Sequence, residues 1–117
     1  MRFGIMKGTM FSMNCSHHDI ILLPIPFTDL SSHKVRRAIV IGFDSFPGDL
    51  FVVPITSQLT NSDFALIDWR SSGLNVESRV KGRLCAIESR VVRKIIGRLS
   101  RNDATILEGF LRQWLKL

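Results

Sequence analysis

Guanidinium groups at one strand end and hydroxyls at another form a plausible phosphate-handling site in this sequence, with Arg36 and Thr56 among them. Arg36 and its neighbours Lys34 and Arg37 precede the apolar run Ala38-Ile39-Val40-Ile41. Thr56 closes a second run, Leu50-Phe51-Val52-Val53-Pro54-Ile55, and is followed by Ser57 and Gln58. A guanidinium is planar and forks onto phosphate oxygens, so it can stabilise negative charge developing there. A threonine hydroxyl can donate to a phosphate oxygen but cannot serve as a base. His33 offers a proton shuttle near neutrality, although a solvated loop histidine explains it as well. Glu77 could act as a base, or could simply balance Arg79 or Lys81.

Charge points the same way. The chain has 117 residues, 16 Lys and Arg against 10 Asp and Glu, and a formal net charge of +6. That excess favours an anionic partner such as nucleic acid, or an acidic protein segment. The cations cluster at Lys34, Arg36 and Arg37, at Arg79, Lys81 and Arg83, and at Arg90, Arg93, Lys94 and Arg98. Lys34, Arg37, Arg79 and Lys81, with His33, Ser57 and Gln58, are the candidates for contacts with a nucleic acid. Trp69 is a candidate stacking platform for a base, although core packing accounts for most aromatic residues on strands.

The elements that must hold these groups are mostly strands. A hydrophobic content of 45% with 22% charged residues describes a globular chain, of a length that builds one core. Strand-length apolar runs recur at 20–25, 38–43 and 50–56, the second and third joined by Asp44-Ser45-Phe46-Pro47-Gly48-Asp49. Shorter strands are expected at 64–69, 77–80 and 83–87. Strands at this spacing, with no long helix between them, predict a small, antiparallel, partly closed barrel.

Two helical features close the chain. Val91, Val92, Ile95 and Ile96 form a short apolar stripe that Gly97 stops. Ser100 and Asp103 stand as an N-cap and an acidic third position, with Leu99 able to staple onto the first turn. Ile106, Leu107, Phe110, Leu111, Trp114 and Leu115 then repeat at three- and four-residue steps, an amphipathic helix that must cover the barrel or a second subunit.

Residues 1–16 read as a poorly structured extension, with Met13 as an alternative start, and 17–117 as a single domain. No apolar stretch approaches the roughly 20 residues of a membrane helix. Two cysteines, Cys15 and Cys85, are too few for a disulfide framework, and no Cys/His spacing suggests zinc. The expected compartment is a reducing cytoplasm, with no metal and no cofactor.

From Asp19 to about Leu115 the chain resembles the PemK/MazF toxins of bacterial toxin–antitoxin pairs. The resemblance is carried by Asp19-Ile-Ile-Leu-Leu-Pro-Ile-Pro-Phe-Thr-Asp-Leu30, Lys34-Val-Arg-Arg-Ala-Ile-Val-Ile41 and Val53-Pro-Ile-Thr-Ser-Gln58. Asp68-Trp69, Ser72-Gly73-Leu74 and Ile96-Gly-Arg-Leu-Ser100 follow in the family's order. It implies an SH3-like antiparallel barrel and a homodimer. It also implies a metal-independent, sequence-selective endoribonuclease acting on single-stranded RNA, held in check by an acidic antitoxin. Its catalytic arginine and threonine match Arg36 and Thr56. Two positions depart from the family's pattern: His18 replaces a common glycine, and Arg37 a common proline, leaving two adjacent arginines to choose between. A gyrase-poisoning toxin of the same fold, which would use a tryptophan near the terminus such as Trp114, and an inactive nucleic-acid-binding barrel are the alternatives.

Overall fold

The computed structural model describes residues 14–24, 35–44, 48–58 and 63–117. Seven strands, β1 (Asp19–Pro24), β2 (Val35–Phe43), β3 (Asp49–Thr56), β4 (Phe64–Ala65), β5 (Arg79–Val80), β6 (Cys85–Glu88) and β7 (Lys94–Arg98), precede one helix, α1 (Arg101–Leu115). All described pairings are antiparallel, in the order β4-β5-β3-β2-β1-β7. β6 pairs with the first half of β3, while β5 pairs with its last two residues. The sheet is open, because its end strands β4 and β7 do not pair with each other among the described residues.

The central strands read as unbroken apolar runs because both faces of the sheet are covered. Alternation sends Ile20, Ile39, Val53 and Ile55 to one cluster, with Phe64, Leu66, Leu74, Val80, Leu99 and Leu107. Ile21, Leu23, Ala38, Val40, Leu50 and Val52 go to the other, with Val92 beneath them. β2 accommodates one extra residue between Val40 and Gly42, a bulge that increases local twist.

α1 covers the first cluster through buried Leu107 and half-buried Ile106, Phe110, Leu111 and Trp114. Burying a leucine side chain contributes about 1.5–3 kcal/mol. The Phe110 ring stacks on Phe64 at 4.6 Å between centroids. As expected from the sequence, Ser100 caps the helix, its Oγ accepting from Asp103 N at 3.1 Å. The Asp103 carboxylate does something the capping pattern does not foretell. Fully buried, it accepts from the backbone N–H groups of Ile67 (2.9 Å) and Asp68 (2.8 Å). Ser100 Oγ in turn donates to Asp68 Oδ2 at 2.7 Å. The helix start is thereby stitched to a segment more than thirty positions earlier.

That stitching corrects the strand expected at 64–69, which ends at Ala65. The N–H groups of Ile67 and Asp68 serve Asp103, and 69–74 turn back on themselves through bonds from Ser72, Gly73 and Leu74. The strand expected at 77–80 is shorter, Arg79–Val80, and the one at 83–87 falls at Cys85–Glu88. The helical stripe expected over 91–96 is absent. A 3-10 turn at Ser89–Val91 leads into β7, which hydrogen-bonds along β1. Val92, Ile95 and Ile96 are β-branched, which suits a pleated strand better than a helix. Gly97 is required where β7 crosses the 72–73 turn, since a Cβ there would run into the Ser72 carbonyl oxygen.

Among the described residues no helix is long and apolar enough to cross a membrane.

Candidate functional site

β2 begins at Val35, so Arg36 and Arg37 are strand residues rather than part of the preceding loop. Arg37 lies opposite Leu22 and Ile55, and Arg36 lies opposite Leu23. The β2–β3 register, continued by one residue, aligns Arg36 with Thr56. On the other edge of β3, Thr56 pairs directly with Arg79. Directly opposed residues in an antiparallel sheet point to the same face, about 4.5–5.5 Å apart. Arg36, Thr56 and Arg79 therefore form one row across three strands, a threonine flanked by two arginines in the register.

The same alternation separates the two arginines. Arg37 shares its face with Ile55 and Val80, both buried in the core under α1. It is half-buried, whereas Arg36 is exposed. Arg36 is thus the arginine on the threonine's face. The pairing that makes this distinction cannot be read along a single strand.

Thr56 Oγ1 accepts from Gln58 N at 3.1 Å. This turn fixes the side chain and leaves the hydroxyl proton available to an incoming acceptor. Ser57 and Gln58 are exposed just beyond it. Lys81 leaves the end of β5 farther from Thr56, its N–H bonded to Pro54 O at 3.0 Å. His33 and Lys34 lie outside the described residues. The row thus brings together Arg36, Thr56 and Arg79, with Ser57 and Gln58 at its rim. Arg37 lies on the opposite face, and Lys81 follows two positions after Arg79.

A pocket at the same end of the sheet brings together two residues singled out above, Trp69 and Glu77. Ile67, Asp68, Trp69, Arg70, Ser71 and Glu77 line this pocket of about 510 Å³. Trp69 packs against the core under α1, and the Arg70 guanidinium lies over its ring, 4.9 Å from the centroid. Glu77 is exposed. Trp114 contributes packing, tilted against Phe110 at 5.7 Å.

The two thiols lie at the edge of the second cluster. Burial pushes the Cys15 thiol up, with the Asp19 carboxylate adding to the effect. Burial also pushes Cys85 up, partly opposed by Arg83. Neither group is set up as a nucleophile. Among the described residues no cluster of three or more His, Cys, Asp or Glu side chains could hold a metal ion.

No protein-family model matches this chain, and no curated protein matches it.

Proposed function

We propose that this protein is a metal-independent endoribonuclease that cleaves single-stranded RNA by attack of the ribose 2′-hydroxyl, as the toxin of a toxin–antitoxin pair. The observation that supports the reading is the row Arg36-Thr56-Arg79, in which the register places a threonine between two arginines. Attack of the 2′-oxygen on the adjacent phosphorus gives a phosphorane with added negative charge. Arg36 stabilises that charge, and Thr56 positions a non-bridging oxygen. Arg79 extends the cationic surface along the RNA backbone, with Ser57 and Gln58 adding hydrogen bonds. Arginine hardly deprotonates, so its role here is electrostatic rather than that of a proton donor.

Several features support the wider reading. The net charge of +6 suits an RNA substrate and an acidic antitoxin. The two-sided sheet, with β3 shared between β5 and β6, is compatible with the SH3-like barrel of the family the motifs resemble. A homodimer and a cytoplasmic location belong to the same proposal. The gyrase-poisoning alternative gains nothing from Trp114, whose packing on Phe110 accounts for it.

The test is incubation with RNA in excess EDTA. The parent protein is expected to leave 2′,3′-cyclic phosphate and 5′-hydroxyl ends, and Thr56→Ala to lose most of the activity. Products with 3′-hydroxyl ends reject 2′-hydroxyl attack. Gyrase inhibition without any RNA cleavage rejects the nuclease.

A further inference from the structure

We propose that the pocket between the 67–71 turn and Glu77 is a guanine-binding subsite. The inference rests on the nuclease reading only for the assumption that the polymer bound is single-stranded nucleic acid. Glu77 stands two residues before Arg79, which pairs with Thr56, so the pocket lies about 7 Å of extended chain from the phosphate row. A strand whose phosphate sits on that row can turn a neighbouring base into the pocket, because unpaired bases are free to splay out.

The lining matches a base on two counts. Trp69 is held by the core and carries the Arg70 guanidinium over its ring, a planar cationic pair on which a base can stack. Ile67 adds an apolar wall, 65% exposed and anchored through its N–H to Asp103. The polar groups then select which base. The Ser71 hydroxyl donates to Asp68 O at 3.1 Å, and Asp68 Oδ2 accepts from Ser100. Glu77 is the exposed carboxylate of the lining. A carboxylate presents two acceptors side by side. Guanine's Watson–Crick edge meets them with two adjacent donors, N1–H and the N2 amino group. Adenine and cytosine each offer a single amino donor next to an acceptor nitrogen that a carboxylate repels.

Binding can be separated from cleavage with oligodeoxynucleotides, which lack the attacking hydroxyl. A labelled short oligothymidine carrying one central guanine is titrated by fluorescence anisotropy, beside the same strand carrying inosine, adenine or thymine. Inosine lacks the N2 amino group. The guanine strand is expected to bind about tenfold more tightly than the inosine strand, the loss typical of one charge-assisted hydrogen bond. In Glu77→Gln, whose amide opposes a donor with a donor, the guanine preference falls below twofold. The exposed position of Glu77 leaves the melting temperature unchanged. No binding, equal binding of the four strands, or a preference that survives Glu77→Gln overturns the proposal. RNA cleavage without guanine preference leaves the nuclease standing and removes the subsite. Guanine preference without RNA cleavage does the reverse.

Discussion

Asp103 is the side chain on which the pocket end of the molecule depends, and its removal has a calculable cost. Each carboxylate oxygen accepts one backbone N–H, from Ile67 at 2.9 Å and Asp68 at 2.8 Å, in a fully buried position. Hydrogen bonds to a charged group contribute about 1.5–3 kcal/mol each. Truncation to alanine leaves two donors without partners, a gross loss of about 3–6 kcal/mol. Water reaching the N–H groups beside exposed Ile67 recovers part of that, so the expected net cost of Asp103→Ala is about 3 kcal/mol. In a domain of this size such a loss lowers the melting temperature by roughly 10–20 °C. Asp103→Asn keeps one acceptor but turns an amino group toward the other N–H, and should fall between the parent and the alanine variant. Urea unfolding followed by circular dichroism reads both, with an unchanged slope showing that only stability has moved. A cost below about 1 kcal/mol for Asp103→Ala would refute the reasoning, since the two bonds would then contribute no more than a surface contact.

Three further outcomes follow from packing and titration. Leu107→Ala, at a fully buried position between α1 and the sheet, is expected to cost about 2–5 kcal/mol in urea unfolding. Gly97→Ala should cost at least about 2 kcal/mol, because the new Cβ meets the backbone carbonyl of Ser72 and one of two main chains must shift. Burial raises both thiols in the folded state, so Cys15 and Cys85 should react with iodoacetamide more slowly at pH 8 than the unfolded chain does. The same shift means that the folded state holds its thiol protons longer. Stability from this source is therefore fully present below the ordinary thiol value of 9.0 and falls as pH rises above it.

What the sequence disclosed, and what it did not, follows from how local each signal is. β1, β2 and β3 were legible because burial on both faces makes them continuous apolar runs bounded by turn residues. α1 was legible from its periodicity and from Ser100, both contained within a few turns. β7 was not, because Val91, Val92, Ile95 and Ile96 satisfy helical spacing while its pairing with distant β1 decides the outcome. The 67–74 turns were hidden for a similar reason: the carboxylate that claims their N–H groups lies more than thirty residues away. At the site, residue types offered guanidinium groups and hydroxyls and the family resemblance singled out Arg36 and Thr56, but only register separates Arg36 from Arg37 and brings Arg79 alongside. Trp69 and Glu77 were singled out separately by residue type, but only the folded 67–77 stretch brings them to one pocket.

The central claim is that Arg36, on the face of Thr56, stabilises the charge that develops during RNA cleavage, while Arg37 on the opposite face does not. Single-turnover cleavage of one RNA in EDTA by the parent, Arg36→Ala and Arg37→Ala measures this directly. Arg36→Ala is expected to slow the chemical step by about 10²–10³-fold. Arg37→Ala is expected to weaken RNA binding several-fold and leave the single-turnover rate at saturation within a factor of a few. Equal losses of that rate in both variants, or a larger loss in Arg37→Ala, would contradict the account.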